Sequence, residues 1–126
     1  MASAEQPKPA SVHTKSRNAA VSTPMDNGDF ERATRGFIAS YPGGRINDPS
    51  GRMVADTNRY DFIRQSPEAP DTVNPSLWRH ARLNANHGLF EVADGVWQVR
   101  GYDISNITFV KGTQGWVVID PLTTEA

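Results

Sequence analysis

The stretch LFEVADGVWQVRGYDISNITFVKGTQGWVVID, Leu89–Asp120, alternates apolar and polar residues with a period of two, the pattern of strands whose side chains point to opposite faces in turn. Asp94-Gly95 breaks the first alternation with a tight-turn pair, so the flanking runs LFEVA and VWQVR read as the arms of a hairpin. Alternation resumes in NITFVKG, TQG turns the chain, and the apolar run WVVI, Trp116–Ile119, reads as a strand buried on both faces. Three or four consecutive antiparallel strands are expected. The last delivers Asp120 and a proline to the rim of the sheet, where loops on a rigid support carry reacting groups.

Upstream of the strands, DNGDFERATRGFIAS places Phe30, Ala33, Phe37 and Ile38 on one face of a helix of about three turns, with Asp26 or Asn27 as its cap and YPGG as its end. NDPSG between Arg45-Ile46 and Arg52–Val54 is turn chemistry and predicts a small hairpin. A proline-rich loop then offers Asn74 as a helix cap with Pro75 at the first helical position, where a missing N–H costs nothing. The helix PSLWRHARLNA has Leu77, Trp78 and Ala81 as its apolar stripe, with Gly88 close behind to help end it.

Residues 1–25 hold only scattered Ala and Val among Pro, Ser, Thr, Lys and Gln, too little apolar surface to offset the entropy of ordering, and are expected to form a disordered arm. This divides the 126 residues into an arm (1–25), a helical and loop region (26–88) and a β-region (89–126). The formal net charge is −1, from 13 basic and 14 acidic residues, so no strong field draws in nucleic acid or an anionic membrane. The absence of cysteine removes disulfides and thiolate chemistry. The sequence shows neither a secretory signal nor an apolar run long enough to span a membrane, and its compartment is left open.

Little in the chain resembles a complete active site. His13 falls in the arm, and His80 and His87 are seven residues apart, a helical rise of about 10.5 Å that prevents both from reaching one zinc at about 2.0–2.1 Å. They read as surface or capping histidines. No H-x-H, H-E-x-x-H or G-x-S-x-G occurs, and YPGG and KGTQG match no phosphate-binding loop. The aromatic residues Phe30, Phe37, Trp78, Phe90, Trp97, Phe109 and Trp116 sit at helix or strand spacing and read as core. Two features stand as functional candidates. The loop GYDISN, Gly101–Asn106, is either a polar hairpin connection or the lining of a site. Asp120 is either a strand-end turn carboxylate or a group at a site's rim.

The segment GVWQVRGYDISNITFVKGTQGWVVIDPLTT resembles the opening strands of the metallo-β-lactamase fold. NPSLWRHARLNANHGLF, RGYDISNITF and IDPLTT together resemble one branch of it, the zinc-dependent alkyl sulfatases, over about Asp26–Ala126. The resemblance implies an α+β fragment: the first antiparallel strands of an αβ/βα sandwich, preceded by two short helices and the arm. It also implies a hydrolase that cleaves primary alkyl sulfates such as dodecyl sulfate to alcohol and sulfate with two zinc ions. The H-x-H-x-D-H ligands of that family are absent from this sequence, so no catalytic or metal-binding residue is carried over, and the chain is expected to be inactive alone. Asp120 is the one position carried over, as a residue orienting the metal loop; Tyr102 and Asn106 would line the way into the site. The implied partners are the remainder of the sulfatase chain, a second subunit in a dimer and, in the intact protein, the alkyl sulfate. The alternative is a non-catalytic interaction or complementation fragment that uses an exposed sheet edge.

Overall fold

The computed structural model describes residues 8–22 and 28–123. Its centre is a five-stranded antiparallel sheet in the order β1-β4-β5-β6-β7, formed by Phe37–Ala39, Gly88–Ala93, Val96–Arg100, Ile107–Lys111 and Trp116–Ile119. The hairpin expected at Asp94-Gly95 forms, with Ala93 opposite Val96 and Gly95 in the left-handed conformation that such a turn requires. β5 and β6 pair Trp97 with Phe109 and Gln98 with Thr108; β6 and β7 pair Phe109 with Val118 and Thr108 with Ile119. A separate hairpin joins β2 (Arg45–Asn47) to β3 (Met53–Asp56) around the predicted NDPSG turn, where the Asp48 carboxylate accepts bonds from Ser50 and Arg52.

After the short helix α3 (Asp61–Gln65), helix α4 (Pro75–Asn84) starts as its sequence predicts: the Asn74 side chain accepts from the amides of Ser76 and Leu77, and Pro75 occupies the first turn. Trp78 is buried, its indole N–H donating 3.0 Å to the Ser66 carbonyl. Leu77, placed by the sequence on the same apolar stripe, is exposed. Gly88 does not end the helix. It opens β4, where a Cβ would lie 2.5 Å from the Ala39 carbonyl oxygen of the neighbouring strand.

Three further expectations are corrected. The helix predicted through Phe37 and Ile38 stops early: α2 covers Asp29–Thr34, Arg35 is extended, and Phe37–Ala39 forms β1. Gly36 is the cause. It has φ +72°, its carbonyl accepts the Glu91 amide at 2.8 Å, and a Cβ there would fall 1.9 Å from the Glu91 oxygen. Spacing alone suited helix and strand equally at Phe37, and the close backbone approach decides for the strand. Through β1, region 26–88 shares one sheet with region 89–126. The cap position of α2 is Gly28; Asp26 and Asn27 lie outside the described residues.

Secondly, the expected arm contains a helix, α1 (Val12–Ala19), capped by Ser11. Lys15 pairs with Asp71 at 2.9 Å, and the Asn18 amide donates 2.7 Å to the Asp71 carbonyl. Local capping chemistry and one loop therefore order residues whose composition lacks a core. Residues 1–7 and 23–25 of the arm lie outside the described residues.

Thirdly, β7 is not buried. Trp116, Val117, Val118 and Ile119 are 57, 57, 49 and 51% exposed, so both faces of this edge strand are open. Among the aromatic residues read as core, Trp78 and Phe90 are buried, while Phe37 and Trp116 are half exposed. Phe90 anchors the core, with Phe37 edge-on at 5.5 Å and the Arg100 guanidinium over its other side at 4.5 Å.

Candidate functional site

Antiparallel pairing brings two loops to one end of the sheet. The loop Gly101–Asn106 leaves β5 and enters β6, and Ile119 of β7 lies opposite Thr108 of β6. The segment beyond Asp120 therefore emerges beside that loop. Asp120 is exposed and has φ +56°, the one left-handed residue other than glycine among the described residues. Such a backbone costs of order 1–2 kcal/mol and persists where its surroundings hold it.

The neighbouring loop is itself held at several points. Tyr102 is half-buried; its hydroxyl accepts from the Tyr41 amide at 2.9 Å, and its ring meets His87 edge-on at 5.6 Å. Tyr102 also lines a 210 Å³ pocket with Tyr41, Ile46, Val54, Val99 and Leu122, two residues past Asp120. Asp103 stands beside it. One carboxylate oxygen accepts from the Ile104 amide at 2.6 Å, and the other accepts from the Thr123 amide at 2.7 Å and the Thr123 hydroxyl at 2.5 Å. These bonds, the Thr123 hydroxyl first, hold the Asp103 carboxyl below its ordinary pKa.

Asn106 lies on the other side of the loop. It is exposed and borders a groove of about 780 Å³ shared with Asp29, Arg32, Gln98, Arg100 and Ile104. At one wall, Asp29 accepts from Arg79 at 2.7 Å and from Arg32 at 2.6 Å, which holds its carboxyl below its ordinary pKa. At the other, Arg100 donates to Gln98 at 2.7 Å, and Gln98 donates to Thr108 at 3.0 Å. The structure thus brings Tyr102 together with the segment after Asp120 and sets Asn106 on a separate groove; Asp103 borders both cavities.

The histidines are placed individually. His13 is exposed on α1, and His80 contacts Asn84 at 2.9 Å on the α4 surface. His87 is more embedded than a surface histidine: Nδ1 lies 3.1 Å from Arg64 and 3.3 Å from the Ala85 carbonyl. Arg64 only donates and a carbonyl only accepts, so Nδ1 serves one of the two at a time. Arg64 also bonds Asp61.

Sequence reasoning missed Asp103 as a partner of Thr123 and His87 as the ring packed on Tyr102. Neither pairing has a spacing signal, since Asp103 and Thr123 are 20 residues apart and meet through the register of β6 with β7. Among the described residues no group of three or more His, Cys, Asp or Glu is placed to hold a metal ion. A two-zinc centre does not fit this rim, where Tyr102, Asn106 and Asp120 supply a single carboxylate between them and Asp103 is spent on Thr123.

A solved structure of a stereoselective inverting sec-alkylsulfatase from Pseudomonas superposes on 92% of this chain with a TM-score of 0.84 at 46% sequence identity. Over nearly its whole length the chain matches a segment of the alkylsulfatases. The chain is 45% identical over 125 residues to a linear primary-alkylsulfatase from Pseudomonas, and 50% identical over 100 residues to an alkyl/aryl-sulfatase from Saccharomyces cerevisiae. These matches cover 97% and 79% of the segment but only 18% and 15% of the relatives. An (R)-specific secondary-alkylsulfatase from Pseudomonas matches at 46% over 120 residues, so primary- and secondary-acting relatives share this region equally. No family model matches the chain.

Proposed function

We propose that this segment is the scaffold portion of a hydrolase that splits primary alkyl sulfates, such as dodecyl sulfate, into alcohol and sulfate. The observation that carries the reading is near-complete coverage of the segment at 45% identity by a linear primary-alkylsulfatase. Hydrolysis of a sulfate ester needs an activated water and positive charge against the departing sulfate. Tyr102, Asn106 and Asp120 provide neither. The proposal therefore places the metal, two zinc ions in the resembling family, on residues outside this segment, within a completed metallo-β-lactamase fold that dimerises through a region also outside it. Region 1–25 is then a leading arm, 26–88 a supporting region and 89–126 the start of the metal-bearing domain.

The residues here have positioning work. β7 carries Asp120 to the rim, where its role is to orient the loop that bears the metal ligands. Tyr102, fixed by the Tyr41 amide, and the exposed Asn106 line the way in for the substrate. Sulfate release from dodecyl sulfate tests the reading. The intact protein carrying this segment should turn over the ester and lose activity to a chelator, and the 126-residue chain alone should release none. An intact protein that leaves alkyl sulfates untouched would refute the proposal.

A second reading has its own support in β7, whose four apolar residues are about half exposed along an unpaired edge. Trp97, Phe109, Trp116 and Val118 border an apolar hollow of about 400 Å³ on one face of that edge. An open edge of this kind pairs with another strand. In that reading the chain is an interaction or complementation fragment, and it associates at high concentration; a monodisperse monomer that melts cooperatively would count against it.

A further inference from the structure

We infer that Asp103 is the positioning residue of the rim: by gripping Thr123 at two points it fixes the course the chain takes beyond Asp120. The inference rests on the sulfatase reading above for its catalytic consequence, and on geometry alone for the grip. Asp120 turns the chain through a left-handed backbone, φ +56°, a conformation that aspartate tolerates better than most side chains. Pro121 follows and has no N–H to donate. Leu122 borders the pocket with Val99 and Tyr102. Thr123 then donates both its amide, at 2.7 Å, and its hydroxyl, at 2.5 Å, to one Asp103 oxygen.

The second Asp103 oxygen accepts from Ile104 at 2.6 Å, which sets the carboxylate's orientation within its own loop. An ionised acceptor makes these bonds stronger than neutral ones. The grip spans the two loops at this end of the sheet, so it transmits the position of the β5–β6 connection to the chain leaving β7. In the intact sulfatase that chain leads toward the metal ligands. Asp103 touches no reacting atom; it acts through where it holds Leu122 and Thr123. Asparagine keeps the shape but loses the charge, and alanine removes the acceptor.

Two readouts test this. The first is amide hydrogen exchange by NMR in the 126-residue chain, comparing wild type, Asp103→Ala and Thr123→Val. The expected result for Asp103→Ala is exchange at Thr123 faster by about tenfold, one charge-assisted bond's worth, with Val99 and Thr108 unchanged. Unchanged Thr123 exchange, or a rise shared equally by Val99 and Thr108, would overturn the grip. If Asp103→Ala does not fold, Thr123→Val tests the other half of the grip: it removes the hydroxyl donor and leaves the amide bond alone, so exchange at position 123 should rise by a smaller factor, and no rise would overturn the grip. The second readout is steady-state kinetics of the intact sulfatase with dodecyl sulfate. Asp103→Asn should lower kcat about tenfold with KM within about twofold, the split expected of misplaced reacting groups. An unchanged kcat, or a rise confined to KM, would overturn the positioning role. If wild-type intact protein shows no sulfatase activity, the proposed function fails while the exchange result still decides the grip.

Discussion

Replacing Gly36 by alanine separates the observed fold from the helix that apolar spacing suggests. In a continuous helix through Ile38, alanine would be worth about 1 kcal/mol of added stability over glycine. In the observed fold the sign reverses. The new Cβ would fall 1.9 Å from the Glu91 carbonyl oxygen, on a backbone held at φ +72°. A left-handed alanine costs about 1–2 kcal/mol. Relieving the overlap requires β1 to draw back from β4, which releases the 2.8 Å bond from the Glu91 amide to the Gly36 carbonyl. That loss is about 0.5–1.5 kcal/mol net. The 5.5 Å edge-to-face contact of Phe37 with Phe90 weakens with it, by about 0.5–1.5 kcal/mol. The combined destabilisation is about 2–5 kcal/mol, a large share of the roughly 5–15 kcal/mol a domain has. Urea unfolding gives the magnitude, and exchange at the Glu91 amide locates it. A midpoint equal to or above wild type, with Glu91 still protected, would refute the reasoning.

Other substitutions probe separate parts of the fold. Asn74→Ala removes the acceptor for the Ser76 and Leu77 amides and should cost about 1 kcal/mol in urea unfolding. Asp29 has its folded-state pKa depressed by bonds from Arg79 and Arg32, so its contribution is present above the unfolded carboxylate value of about 3.9 and lost as pH falls through the lower folded value. Stability measured from pH 6 downward should therefore drop in acid, and Asp29→Asn should flatten that drop; an identical acid limb in the variant would contradict the assignment. Trp116→Lys places a charge on the open edge and should move sedimentation at high concentration toward the monomer; it also removes the 5.4 Å contact with Trp97 and faces Lys111 across the strand pair, so the unfolding midpoint should fall as well.

The sequence was most legible where local chemistry and final structure coincide. Asp94-Gly95 and the alternation around it specify the β4–β5 hairpin, and Asn74-Pro75 specifies the start of α4, because turn and cap preferences act within a few residues. Phe37 was misread because its partner, Glu91 with its neighbours, lies far along the chain and the deciding feature is a close approach at Gly36. The helix at Val12–Ala19 was missed because composition speaks to burial, whereas Ser11 capping and the Asp71 contacts order it locally. Trp116–Ile119 read as buried on both faces from its apolar character alone. Its 49–57% exposure follows from its place at the edge of the sheet, which apolar character alone does not announce. At the rim, Tyr102, Asn106 and Asp120 stood out by residue type. Asp103 took its place through strand register, which no residue type announces.

The most direct test is where the metal is held. Metal content of the purified 126-residue chain, measured by elemental analysis after incubation with zinc and exhaustive dialysis, should fall to the level of a buffer blank, since the rim has no ligand set to retain the ion. Retention of two tightly held zinc ions per chain would contradict it.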